Sequence, residues 1–462
     1  MHREKSSKRI VVVGAGVTGL TTAWKLRREG HAVSIIERGE HAGGSIRTTR
    51  TDGWIVEAGP NTMLVNEQPL LDFFAEIGLE RDLLEASKEA NKRYIVRRGT
   101  PVAAPMSLGQ FIGTPLLSGG AKLRLFCEPF IGRARPEVEE SVGDFARRRL
   151  GREVVDYAIN PLIGGIYAGD PYRLSVRHAF PTLHRFDRDH GSLVLGAIAS
   201  GRARRKAGKK RFKARSISFT RGLQMIIDAL VREVGDSLFS STEIRAIDRA
   251  ADGVWRISTQ RTDGECRTFE ADAVVVAIPA RAAAALPLAT GGVRPLAVLD
   301  EIEYPPVTSV ALGFRREQIA HPLDGYGLLV PACEGFRILG TLFSSSLFPG
   351  RAPEGHVLLT TFVGGMRQPE NARLAPDELR ALVLTDLARL VGVSGDPVFT
   401  ATHAWERAIP QYNLGYSRFH DAMSAAEREL PGLIVGGHLR DGVSVGDCIR
   451  AGWKLAERAT AG

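Results

Sequence analysis

Ile10-Val11-Val12-Val13-Gly14-Ala15-Gly16-Val17-Thr18-Gly19-Leu20 decides the fold, because an apolar run meets three glycines at fixed spacing. A second apolar stretch, 32–36, ends at Glu37, eighteen residues after Gly19. That spacing predicts strand, tight turn, helix and second strand, the arrangement that binds a dinucleotide. Gly14 permits the turn. Gly16 lets the backbone approach a pyrophosphate with no Cβ between them, and Gly19 lets the helix pack close on the strand. The helix expected over 17–29, stopped by Gly30, aims its N-terminus at the phosphates. Glu37 is placed to accept hydrogen bonds from a ribose.

The 462 residues exceed what one core needs and predict two or three domains. With 44% hydrophobic and 24% charged residues, the composition is globular. The four cysteines, Cys127, Cys266, Cys333 and Cys448, form no CxxC pair. Free thiols in a reducing compartment follow, and a disulfide framework and a zinc site are both disfavoured. The eleven histidines form no cluster, so no metal is expected. No signal peptide is legible at the charged N-terminus. No stretch approaches the roughly 18 apolar residues of a spanning helix. The expectation is a cytoplasmic protein, soluble or lying on the inner face of a membrane.

The net charge of +9 has one source. Between Arg202 and Arg215 stand nine cations with no acid among them, and the rest of the chain is neutral. The stretch reads first as a solvated connector. Attraction to anionic lipid comes second, at roughly 1 kcal/mol for each surface cation. Nucleic-acid binding is not expected, because neither interleaved aromatics nor a recognition helix accompanies the cations.

Helical periodicity covers 67–84 and most of 105–198, and two strands are expected over 91–102, turning at Arg98-Gly99. Strands follow around Ile244, over 254–258 and 273–278, then at 307–314, 327–330, 337–343 and 357–363. A helix is expected over 376–390, and the chain closes with strand 433–436 and helix 446–460. The nucleotide-binding fold therefore comes in pieces, at the N-terminus, at 272–279 and at the C-terminus. A contiguous domain would suit NAD. The interrupted layout and the second glycine pair, Gly43-Gly44, predict FAD. Arg47 just beyond that pair reads as a partner of cofactor phosphate or of a surface acid.

Several interior stretches add a resemblance: Asn91-Lys92-Arg93-Tyr94-Ile95, Gly169-Asp170-Pro171, Gly191-Ser192-Leu193-Val194-Leu195-Gly196, Leu339-Gly340-Thr341-Leu342-Phe343, Thr360-Thr361-Phe362-Val363-Gly364 and Gly442-Val443-Ser444-Val445-Gly446. With the glycine motif, they resemble the oxygen-dependent protoporphyrinogen oxidase family, within the amine-oxidase-like flavoproteins, over nearly the whole chain. The implied fold class is α/β, with an FAD-binding Rossmann-like domain built from discontinuous segments, an inserted mixed-sheet substrate domain and an inserted helical domain. The boundaries implied are 1–84, 216–298 and 413–462 for FAD binding, and 85–104 and 299–412 for the substrate domain. Residues 105–195 form a helical membrane-docking domain and 196–215 a basic linker.

The resemblance implies six-electron oxidation of protoporphyrinogen IX to protoporphyrin IX in haem biosynthesis, with FAD as cofactor, O₂ as acceptor and hydrogen peroxide released. Arg93 is similar to the family's substrate-carboxylate binder, with Tyr326 and Gly169 beside it. Gly165 matches a backbone carbonyl near a pyrrole nitrogen, and Leu329, Leu342 and Phe362 match apolar walls that sandwich the macrocycle. The cofactor contacts implied are Gly14, Ala15, Gly16, Val17, Thr18, Gly19, Glu37, Arg38, Gly43, Gly44, Ser45, Arg47, Gly59, Pro60, Asn61, Thr62, Ile244, Gly436, Val443, Ser444 and Val445. The family usually has Asn where this chain has Gly437, which leaves the local flavin or loop contact open.

The chemistry of the residue types agrees. A flat apolar substrate with propionates needs aliphatic and aromatic walls and a few placed polar groups, and arginine offers a planar fork to a carboxylate. The cofactor performs the redox step, so no protein nucleophile is required. Taken alone, Arg93 reads as a surface ion-pair partner, Gly165 as turn chemistry, and the three apolar residues read equally well as core. Cys448 reads as a buried thiol rather than a covalent flavin link. Coproporphyrinogen III oxidation by the same chemistry stays open. So do a flavin amine oxidase, a carotenoid desaturase, a non-catalytic flavoprotein docking through its basic stretch, and a homodimer.

Overall fold

The computed structural model describes residues 7–133, 138–208, 212–288 and 294–461. The opening motif folds as strand Arg9–Val13, helix Val17–Arg28 and strand Ala32–Ile36. These strands join Leu238–Phe239, Ala273–Val276 and Leu433–Val435 in one five-stranded sheet whose pairs are all parallel. Distant parts of the chain therefore build a single sheet. Its strands read as continuous apolar runs because both faces are covered. Ile10 and Val12 point to a core shared with Leu20, Ala23, Ile226 and Ile449. Val11 and Val13 point to a second core with Trp255, Ile257 and Tyr416. The period-two alternation of a strand sends the run both ways.

A second sheet has seven strands, in the order Phe399–Trp405, Val307–Arg315, His356–Gly364, Ile338–Phe343, Gly325–Leu329, Lys92–Arg97 and Thr100–Ala103. It is mixed, because Lys92–Arg97 runs parallel to Gly325–Leu329 while the other pairs are antiparallel. One face buries Tyr94, Val96, Leu328, Phe343 and Val363 against the helix Pro376–Val391 through Leu379, Leu382, Val383 and Leu387. That helix begins at proline with Asp377 and Glu378 in its first turn and stops at Gly392, φ +66. The opposite face carries the candidate site.

Three expectations change. The helical stretch at 67–84 is a helix only over Gln68–Glu76. Gly78, at φ +79, ends it, and Leu83–Glu85 turns into a strand paired with Arg215–Phe219. The basic stretch is not a connector throughout. Arg202, Arg204, Arg205 and Lys206 close the helix Leu193–Lys206, which runs across the expected boundary at 195/196. Ser192 caps its start, its Oγ accepting from Leu195 N, and arginine and lysine are good helix formers that suit a helix C-terminus. Lys209, Lys210 and Arg211 lie outside the described residues. Finally, the edge strand Phe399–Trp405, the strand Cys266–Ala271 and the helix Ser417–Glu429 have no counterpart in the sequence reading. Among the described residues no helix is long and apolar enough to cross a membrane.

Candidate active site

Two glycine loops face each other at the C-terminal end of the parallel sheet. Gly14 takes φ +100, and a Cβ on Gly19 would lie 1.9 Å from Gly14 O, so helix and loop meet without room for a side chain. A Cβ on Gly16 would meet nothing within 4 Å. Gly43 N donates to Ala15 O at 2.8 Å, which docks the second loop on the first. A Cβ on Gly59 would lie 2.1 Å from Ser45 O, so the 59–62 segment is laid on the second loop in turn. Bare backbone beside a helix N-terminus, with open space at Gly16, fits the pyrophosphate of a dinucleotide.

Glu37 is held at this place by its own backbone neighbours. Its Oε2 accepts from Ala15 N at 2.9 Å and its Oε1 from Gly39 N at 2.7 Å. Each carboxylate oxygen keeps a further lone pair for a ribose hydroxyl. Ile244 packs in the same cluster as Ile36, directly before Glu37. Val17 and Thr18 are buried at the helix start, while Arg38, Gly44, Ser45 and Arg47 are exposed, with Pro60 half-buried beside them. Arg47 has no ion pair among the described residues, and its carbonyl accepts from Ala58 N.

The C-terminal piece closes the cradle. Ser444 caps the helix Val445–Thr460 in a reciprocal box with Asp447. That helix lies on the first one at Gly452, whose carbonyl accepts from Thr22 Oγ1 at 3.2 Å. Gly436 N donates to Val276 O, and Val443 packs on the second core. Gly437 sits at φ +99 with its Cβ direction 3.5 Å from Thr18 Cγ2. Space would admit a side chain there. The backbone angle lies in the positive-φ region that glycine adopts most readily. Cys448 is buried, and burial pushes its thiol up to about 12, so it stays protonated.

The residues that the resemblance assigns to the substrate come together through register. Arg93 pairs with Gly327, Gly327 with Leu342, and Leu342 with Thr360. One row along, Ile95 pairs with Leu329, Leu329 with Gly340, and Gly340 with Phe362. Residues opposite each other share a face. Arg93, Leu329, Leu342 and Phe362 therefore all stand on the face turned away from the helix Pro376–Val391. Arg93 is exposed and the three apolar residues are half-buried, whereas their neighbours on the other face are core.

Gly165, in the helix Asn160–Tyr167, covers this face. A Cβ there would come 2.8 Å from Leu329 Cδ2, so the missing side chain is what lets helix backbone reach the wall. On the cofactor side a cavity is lined by Asn61, Thr62, Leu342, Thr360, Glu57 and Arg351, among others. Gly169 is buried, with its Cβ direction 2.5 Å from Gln411 Oε1 and 3.0 Å from Leu174 Cδ1, and its neighbour Ala168 packs in the same cluster as Phe362.

Three further features escaped the sequence reading. The Tyr326 hydroxyl lies 2.7 Å from Thr62 Oγ1, joining the sheet to the cofactor loop. Glu57 and Arg351 form a buried ion pair at 3.4 Å. Trp405 Nε1 donates to Ala58 O at 2.7 Å from the unforeseen edge strand. Only the last had any local signal, an aromatic beyond an alternating polar run.

Known proteins resemble this chain in sequence and fold. The profile of the flavin containing amine oxidoreductase family matches residues 17–460. The mitochondrial protoporphyrinogen oxidase of Nicotiana tabacum is 36% identical, over 98% of this chain and 95% of that protein. The coproporphyrinogen III oxidase of Bacillus subtilis is 27% identical, over 96% of each. Among solved structures, a candidate protoporphyrinogen oxidase from an Exiguobacterium species superposes with a TM-score of 0.80 at 26% identity, covering 98% of this chain and 99% of that one.

Proposed function

This chain belongs to the flavin-containing amine oxidoreductase family, with FAD as its cofactor, and from that premise we propose that it oxidises protoporphyrinogen IX to protoporphyrin IX. FAD, when bound, would supply the hydride-accepting chemistry, with O₂ as the final acceptor. The chain's own residues do the rest. The glycine loops and the first helix hold the pyrophosphate, and Glu37 takes the ribose. Leu329, Leu342 and Phe362 offer a flat macrocycle an apolar wall and keep water from it. Gly165 brings helix backbone over that wall, where its carbonyl can accept from a pyrrole N–H. Arg93 receives a propionate.

The observation that carries the choice of substrate is the state of the cations around this face. Lys92 is taken by Asp324 at 2.5 Å, Arg97 by Glu153 at 2.6 Å and Arg351 by Glu57 at 3.4 Å. Arg367 donates to the carbonyls of Val330, Phe336 and Ile338. Arg93 stands on the face with no ion pair among the described residues. Arg93, with no such partner, suits a substrate whose carboxylates lie along a single edge. Coproporphyrinogen III, with carboxylates on every side, is the second reading, and the relative in Bacillus subtilis is named for it. Arg93→Ala tests the assignment. We expect KM for protoporphyrinogen IX to rise roughly 10–100-fold, the worth of a charged hydrogen bond, with flavin content unchanged. Lost flavin with unchanged KM would reassign Arg93 to structure.

The helical region also presents an apolar surface. Met106, Leu108, Ile112, Leu123, Phe126 and Phe130 are 59–89% exposed. With the exposed cations at the end of the helix Leu193–Lys206, this surface supports docking on an anionic membrane, the milieu of an apolar tetrapyrrole.

A further inference from the structure

Strict alternation along the strand Gly325–Leu329 would turn Tyr326 to the buried side with Leu328. The pairing with Lys92–Arg97 slips between Gly325 and Gly327. Gly327 takes φ +146, and a Cβ there would lie 2.2 Å from Thr341 O, so only glycine makes the kink. The slip brings Tyr326 to the Arg93 face. Its ring packs beside Leu342 and lies 5.2 Å from the Arg93 guanidinium carbon. Its hydroxyl lies 2.7 Å from Thr62 Oγ1. Thr62 ends the segment whose Gly59 rests on Ser45 of the second glycine loop. One side chain thus spans from the face's uncommitted cation to the cofactor cradle.

We propose that Tyr326 is a positioning residue that registers a substrate carboxylate held at Arg93 against the cofactor loop 59–62. The inference rests on the porphyrinogen reading of Arg93. The ring and the hydroxyl have separable jobs. The ring restricts the guanidinium and is felt in binding, at about 0.5–1 kcal/mol for an exposed cation–π contact. The hydroxyl fixes the loop relative to the sheet and is felt in turnover, because a bound substrate slightly out of place reacts slowly.

The test uses the flavin-loaded enzyme with protoporphyrinogen IX. Tyr326→Phe keeps the ring, so KM is expected to stay within about 2-fold while kcat falls roughly 2–10-fold, the worth of one hydrogen bond. Thr62→Val should reproduce that fall, and the double variant should lose no more than either single one, because both remove one bond. Thr62→Ser should restore kcat. Tyr326→Leu should raise KM by about 2–5-fold in addition. Multiplying losses in the double variant, or KM and kcat moving together in Tyr326→Phe, would overturn the proposal while leaving the substrate assignment intact. A wild-type enzyme that oxidises no porphyrinogen would overturn both.

Discussion

Glu57 and Arg351 face each other almost without water, each side chain 4% exposed. Burial raises the Glu57 carboxyl and lowers the Arg351 guanidinium, and each opposite charge works against that loss. Thr48 Oγ1 and Leu223 N donate to the carboxylate, and Arg351 Nη2 donates to Ser218 Oγ at 2.5 Å. The pair thereby joins the hairpin of the cofactor half to the segment following the wall strand. Removing one partner strands a buried charge. Arg351→Met should destabilise the protein by about 3–5 kcal/mol in denaturant unfolding, with Glu57→Leu added to it recovering part of the loss. No loss in Arg351→Met would mean that the pair adds nothing net to stability. Neither residue was legible as a partner, because they stand far apart in the chain and each looks like an ordinary surface charge. The glycines were legible, because what a turn or a close approach forbids is written in a single residue.

At the scale of elements, periodicity carried most strands of both sheets and the helix Pro376–Val391, whose ends are marked by proline and glycine. It failed where tertiary pairing overrides local preference. Leu83–Glu85 continues a helical pattern yet pairs with Arg215–Phe219, and Phe399–Trp405 is an edge strand in which no residue is fully buried. The register that assembles the wall from Leu329, Leu342 and Phe362 is likewise absent from any one stretch. A reading of those three residues as core or as site was even for that reason. The short helices Leu108–Gly113 and Gly119–Phe126 carry a different signal, since neither contributes a buried residue. Their apolar side chains need another partner. Phe130→Asp combined with Leu108→Asp is expected to weaken binding to anionic phospholipid vesicles on the order of 100-fold or more in a co-sedimentation assay, as each apolar side chain withdrawn from a lipid interface forfeits about 1.5–3 kcal/mol. Equal binding by wild type and variant would remove this surface from any membrane role.

Across the whole molecule, the parallel sheet drawn from separate stretches and the mixed sheet drawn from two others meet at one seam. Gly59–Thr62 lies on one side, and Leu342, Tyr326 and Arg93 lie on the other. A discontinuous dinucleotide fold was legible from the glycine motif, the spaced acid and the C-terminal strand–helix. What joins the halves was not, because Tyr326 to Thr62, Trp405 to Ala58 and Arg351 to Glu57 are contacts between residues hundreds of positions apart. This seam is where the account places the chemistry. The decisive assay adds protoporphyrinogen IX aerobically to the purified, flavin-loaded protein and follows porphyrin fluorescence, with coproporphyrinogen III in parallel. We expect enzyme-dependent protoporphyrin fluorescence and hydrogen peroxide, with kcat/KM higher for protoporphyrinogen IX. A flavin-loaded protein that accelerates neither oxidation would contradict it.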